Sequence, residues 1–175
     1  MAGHSKWSQI KRQKGANDTA RSAMFGKLAR RITVEAKKAG GDVNAVALRA
    51  AIEKARKENM PKEGIERAVA RASTDTASLE SVVYETYGPG GAAIVIEALT
   101  DNRNRTSAEI KHLLSKRGLA LASPGSALWA FDKTAEGYSP KTTVSLTEGD
   151  NTALMKTLED IDAYDDVEDV YTNAV

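Results

Sequence analysis

Gly3-His4-Ser5-Lys6-Trp7 leads to Lys11, Arg12 and Lys14, which places cations around a single indole. Ammonium and guanidinium groups neutralise phosphates, and the faces of Trp7 and His4 can stack on bases. Trp7 equally suits an anchor that packs the tail against the helices that follow. Lys27, Arg30 and Arg31 form a second cationic group, gathered on one side of a helical repeat. The third is Thr100-Asp101-Asn102-Arg103-Asn104-Arg105-Thr106, between a strand-like and a helix-like run. Free backbone N–H groups there favour an anion, and Arg103 and Arg105 can chelate phosphate oxygens. The local alternative is that Asn104 or Thr106 caps the helix while Asp101 pairs with an arginine. Gly88-Pro89-Gly90-Gly91 reads either as a turn with a mobile hairpin tip or as a loop whose backbone approaches a partner closely.

Other chemistries find no residues to carry them. There is no Cys, and the two His, His4 and His112, do not make a His-rich metal site. The motifs G-x-S-x-G, G-x-x-x-x-G-K-[ST] and H-E-x-x-H do not occur. Glu159, Asp160, Asp162, Asp165, Asp166, Glu168 and Asp169 crowd together without a paired base. Such a run is ordinarily a solvated face, and an oxygen-rich Mg²⁺ or Ca²⁺ site is the alternative, although the spacing is not that of an EF-hand. No catalytic residue, metal ligand or cofactor is therefore assigned, and no enzyme activity is expected. No apolar run approaches the ~20 residues that span a bilayer. Met1 to Lys14 is polar and basic, without the apolar stretch of a secretory signal. A cytoplasmic monomer without membrane contact is the expectation.

The net charge of +1 hides a segregation. Residues 1–75 hold 17 Lys+Arg against 8 Asp+Glu, net +9, whereas residues 132–175 hold 3 against 11, net −8. A polyanion-binding front and an acidic back follow from that asymmetry. Aromatics make up only 5% of the chain, so the core must be built from Ala, Val, Leu and Ile.

Three helices are predicted first. One runs from a cap at Asn17 or Asp18 to about Ala39, with Met24, Phe25, Leu28, Ile32 and Ala36 on one arc and Lys27, Arg30, Arg31, Lys37 and Lys38 opposite. The second covers about Val43 to Lys57, with Val46, Ile52 and Ala55 among its apolar residues. The third starts at Pro61 and carries Ile65 and Val69. Past the joint Ser73-Thr74-Asp75-Thr76 the period changes. Strands are predicted at Ser81–Tyr87, Ala92–Leu99, Ser126–Phe131, Thr142–Leu146 and Val167–Tyr171, and helices at Thr106–Lys116 and Asp150–Ala163. Two strand–helix–strand units imply an α+β sheet with helices on one face. The expected domains are thus a basic helical one over 1–75 and an α+β one over 76–175.

The blocks Met1-Ala2-Gly3-His4-Ser5-Lys6-Trp7, Phe25-Gly26-Lys27-Leu28, Ala51-Ile52-Glu53-Lys54-Ala55, Asn59-Met60-Pro61 and Ile65-Glu66-Arg67-Ala68 resemble the YebC/PmpR family. So do Tyr84-Glu85, Tyr87-Gly88-Pro89-Gly90-Gly91, the Thr100 to Thr106 loop and Val170-Tyr171-Thr172-Asn173. They run in family order over nearly the whole chain. The resemblance implies a helical N-terminal domain, α+β domains behind it and no enzyme activity. It also implies nucleic-acid binding, described for members both as DNA-binding transcriptional regulation and as ribosome-associated translation of proline-rich stretches, with a mitochondrial relative that activates translation. Lys6, Trp7, Lys11, Lys27, Arg30, Arg31 and the loop from Asp101 to Thr106 become the expected contact regions. A ribosome-associated factor on ribosomal or transfer RNA is the first reading, because no presented helix with base-reading side chains is evident. A DNA-binding transcriptional regulator is the alternative. Typical members insert a further ferredoxin-like domain where this chain has only 132–140, so that third domain is expected to be missing. Ser22-Ala23-Met24 also departs from the family's more usual Gly-Lys before the Phe.

Overall fold

The computed structural model describes Trp7, Ile10, Lys11 and residues 17–175. The chain divides into two compact units, one helical and ending at Leu79, the other made of Glu80–Val175 together with Trp7 and Lys11.

In the helical unit, α1 spans Asp18–Lys38, α2 Val46–Lys57 and α3 Lys62–Arg71. The Asn17 side chain caps α1 by accepting from the Thr19 N–H at 3.0 Å, and Lys37 and Lys38 meet the negative end of the helix dipole. Leu28, Ile32 and Ala36 of α1 pack against Leu48, Ala51 and Ala55 of α2 and Ile65 and Ala68 of α3. The spacing of these residues is that of one buried stripe per helix, which is why short helices with few aromatics can share a core. Val46 is not part of it: it is 80% exposed, and Leu48 takes the inward position instead. Asn59 adopts a left-handed backbone (φ 60°) and reverses the chain ahead of Pro61.

In the second unit, β1 (Glu80–Tyr87), β2 (Ala93–Thr100) and β5 (Val167–Thr172) form an antiparallel sheet in the order β1-β2-β5. The intervening elements are α4 (Arg103–Lys116), the hairpin strands β3 (Phe131–Thr134) and β4 (Gly137–Pro140), and α5 (Glu148–Asp162). Alternation along β2 decides what covers each face. Ile94 and Ile96 face Ile110 and Leu114 of α4 and Leu154, Leu158 and Ile161 of α5. Ala93 and Val95 face Ala127, Ala130 and Phe131, with Tyr138 and Tyr171 beside them. The fold class is therefore α+β, with both helices on one side of the sheet.

Two expected strands take other forms. In place of a strand from Ser126, Leu128–Ala130 is a 3₁₀ turn, and extended structure begins at Phe131. Backbone N–H groups in that stretch are claimed by a buried side chain described below, so they are lost to a ladder. Thr142–Leu146 keeps a single bridge, Val144 to Ala174, because the Lys141 and Thr142 N–H groups both turn to the Ala130 carbonyl. The segment 132–140 is mostly the β3–β4 hairpin.

Candidate nucleic-acid interface

Lys27, Arg30 and Arg31 lie on α1 and are all partly exposed. Arg31 has an internal duty as well. Its Nε is 3.4 Å from the carboxylate of Glu35, and Lys38 Nζ is 3.3 Å from the same oxygen. Glu35 is buried, and a buried carboxylate without cations beside it is costly. Lys37 turns to the chain beyond α3, donating to the Asp75 and Ala77 carbonyls at 2.9 and 2.8 Å. The Arg31 charge is thus shared with Glu35.

The loop from Thr100 to Thr106 is an internally paired helix start. Asn102, rather than Asn104 or Thr106, caps α4 by accepting from the Arg105 N–H at 3.1 Å. The Arg105 guanidinium bridges Asp101 at 2.8 Å and Asp166 at 3.0 Å. Thr106 donates to the same Asp166 oxygen at 2.6 Å, and Tyr164 approaches it at 3.2 Å. Burial alone would push the Asp166 carboxyl up, but hydrogen bonds from Thr106 and Arg105 outweigh it and hold it below the usual range. Bonds to Asp166 and Asp101 push Arg105 further up. Arg103 is looser: its guanidinium is 3.6 Å from Glu80, with both side chains largely exposed. An exposed pair of that kind is worth ~0–1 kcal/mol, so Arg103 can exchange Glu80 for a phosphate more readily than Arg105 can leave its two carboxylates.

The tail residues are placed differently from a stacking surface. Trp7 is 3% exposed and belongs to the apolar cluster under α4 and α5. Of the two roles its position suggested, anchoring is the one the structure displays, and the core it joins is that of the sheet unit rather than the helical one. Lys11 lies 2.9 Å from Asp162 and 3.3 Å from Asp169. Desolvation lowers the pKa of its ammonium, but the charges of Asp169 and Asp162 outweigh this and push it up. His4, Lys6, Arg12 and Lys14 lie outside the described residues.

Gly88-Pro89-Gly90-Gly91 packs onto α5 instead of projecting. A Cβ at Gly88 would meet Ile94 and Leu154 at 2.9 Å, and one at Gly90 (φ 68°) would meet Leu146 at 2.5 Å. The left-handed backbone at Gly90 favours glycine, and a Cβ at Gly88 would press on the tips of Ile94 and Leu154.

Sequence reasoning named Glu85 only within a family block and gave it no role. It is buried, and its carboxylate accepts from the N–H groups of Gly125, Ala127 and Leu128 at 2.6, 2.7 and 2.8 Å. This is the side chain that curls the segment before β3. A carboxylate within a β-branched strand was the available signal, but its partners lie about 40 residues on. Among the described residues, no three His, Asp or Glu side chains are grouped to hold a metal ion, and no helix is long and apolar enough to cross a membrane.

Residues 5–75 match the family model for the TACO1/YebC protein N-terminal domain, and residues 79–136 match that for the TACO1/YebC second and third domain. A probable transcriptional regulatory protein of Thermomicrobium roseum is 38% identical over 238 aligned positions, which take in 99% of this chain and 96% of that protein. Because this chain has 175 residues, at least 63 of those positions have no counterpart in it. The probable transcriptional regulatory protein YebC of Escherichia coli O6:H1 is 44% identical over 98% of this chain and 71% of its own length. The crystal structure of a conserved hypothetical protein, Aq1575 from Aquifex aeolicus, superposes with a TM-score of 0.74 at 27% identity, covering 90% of this chain and 91% of that one.

Proposed function

The chain belongs to the TACO1/YebC family, and from that premise we propose that it is a non-enzymatic, nucleic-acid-binding regulator of gene expression. The observation that carries the reading is the excess of nine positive charges over residues 1–75. Lys27, Arg30 and Arg31 on α1 and Arg103 at the start of α4 are the contacts of choice. Arg105 is a secondary one, since a phosphate must compete with Asp101 and Asp166 for it. Lys6, Arg12 and Lys14 are kept as tail contacts on the strength of their charge alone.

RNA on the ribosome is the favoured target. Lysine and arginine at these positions neutralise phosphate at many angles, which suits irregular RNA better than a fixed duplex site. The second reading, a DNA-binding transcriptional regulator, is favoured by the printed names of the Thermomicrobium and Escherichia relatives. The short β3–β4 hairpin is read as standing where longer relatives carry their third domain, supported by the unmatched positions in the Thermomicrobium alignment. Crosslinking in cells with sequencing of bound RNA and DNA together tests the reading. Enrichment of ribosomal or transfer RNA supports the first target, enrichment of discrete DNA sites the second, and enrichment of neither overturns the proposal.

A further inference from the structure

Trp129 is 58% exposed, although an indole is among the most favourable side chains to bury. It is nevertheless held in place. Its Nε1 donates to the Tyr87 hydroxyl at 2.9 Å, and that hydroxyl donates in turn to the Ser126 carbonyl. The segment beneath it is fixed by the buried Glu85 carboxylate through the N–H groups of Gly125, Ala127 and Leu128. The edge of β1 adds a hydrogen bond from the Ala122 N–H to the Glu85 carbonyl, and the Thr86 hydroxyl donates to the Ala120 carbonyl at 2.7 Å. The only polar atom of the indole is thus already satisfied. What is left of Trp129 for a partner is its π system, held on a fixed seat, which lowers the entropy cost of binding.

The charge of the surrounding unit selects the ligand. Residues 80–175 hold 8 Lys+Arg against 16 Asp+Glu. On the adjoining hairpin and the residue after it, Asp132 and Glu136 balance Lys133 and Lys141 in number, so the negative field belongs to the unit as a whole. Such a field concentrates cations. Tryptophan is the strongest cation–π partner among side chains, and a planar guanidinium stacks on it better than an ammonium does. We propose that Trp129, seated on Tyr87 and the Glu85-pinned turn, is a docking platform for an arginine side chain of a cationic protein segment. The sheet unit then carries its two contacts at opposite ends of β1, Arg103 beside Glu80 for phosphate and Trp129 on Tyr87 for a protein partner.

The test uses the full chain and a fluorescein-labelled peptide of alternating Arg and Gly, with a Lys-Gly peptide and a short oligouridylate as comparators. Intrinsic emission reads the site directly, since Trp7 is buried and Trp129 is exposed. The Arg peptide is expected to change that emission saturably and to bind more tightly than the Lys peptide. Trp129→Ala should weaken the anisotropy-measured affinity about two- to fivefold. Tyr87→Phe, which keeps the ring and frees the indole N–H, should weaken it less. Both changes are at exposed positions, and circular dichroism checks that the fold persists. Equal affinity for wild type and Trp129→Ala overturns the proposal. So does oligouridylate altering Trp129 emission at lower concentration than the Arg peptide, which would make the platform a seat for bases.

Discussion

Glu85 and Asp166 are both carboxylates drawn out of solvent, but they do different work. Glu85 accepts only backbone N–H groups, so its negative charge substitutes for the ladder that the turn before β3 does not make. Glu85→Gln turns one acceptor into a donor aimed at donors. The expected loss is about 2–4 kcal/mol in urea unfolding, with Trp129 emission altered because its seat loosens. Asp166 accepts from Thr106, Arg105 and Tyr164, and its folded pKa lies below the ordinary value. A group of that kind stabilises the fold above its unfolded pKa, and the stabilisation fades as pH falls through the folded value. Asp166→Asn is therefore expected to cost about 2 kcal/mol near neutral pH, and the gap to wild type should close below about pH 4. A gap that stays constant down to acid unfolding would show that the ionised form is not what the site prefers. The cationic loop Thr100–Thr106 was visible in the sequence. Which cations face solvent was not, because Asp166 and Glu80 reach the loop from segments that no local pattern connects to it.

The helices α1, α2 and α3 were legible because their apolar residues recur at helical spacing and their ends carry Asn17, Gly40-Gly41 and Asn59-Met60-Pro61. β1, β2 and β5 were legible from β-branched runs. The segment 126–131 was misread as a strand because its conformation is set by a side chain on β1, and local propensity carries no trace of that. Trp7 presented the same difficulty at longer range. A basic, aromatic tail carries the composition of a nucleic-acid contact, yet its indole completes the cluster of Ile110, Leu114, Leu154 and Leu158. Trp7→Ala is expected to cost about 3–5 kcal/mol, with hydrogen exchange rising in β2 and β5. Lys11→Met should weaken the same attachment by removing the partner of Asp162 and Asp169. If exchange in β2 and β5 is unchanged in Trp7→Ala, the indole is not part of that core.

Across the whole molecule the charges are sorted by unit, and that sorting sets how binding responds to salt. Affinity for polyanions should fall with a log–log slope of about 0.7–0.9 per phosphate neutralised. Lys27→Gln with Arg30→Gln should reduce that slope by up to about two such increments while leaving Trp129 emission unchanged. Arg31 is left intact in this variant because its loss would expose the buried Glu35 carboxylate to the cost of isolation. An unaltered slope in the folded double variant would remove α1 from the interface. The division of the chain has a consequence for its birth. The helical unit is continuous in sequence, whereas the sheet unit is assembled from Trp7 and Lys11 at one extreme and β5 at the other. As the polypeptide emerges during synthesis, the helical unit can close early. The indole of Trp7 is made some 160 residues before Val167–Thr172, the strand whose core it shares. Until that strand is released the sheet unit lacks both an edge and a piece of its core, so the acidic half closes only after the basic half has had time to fold.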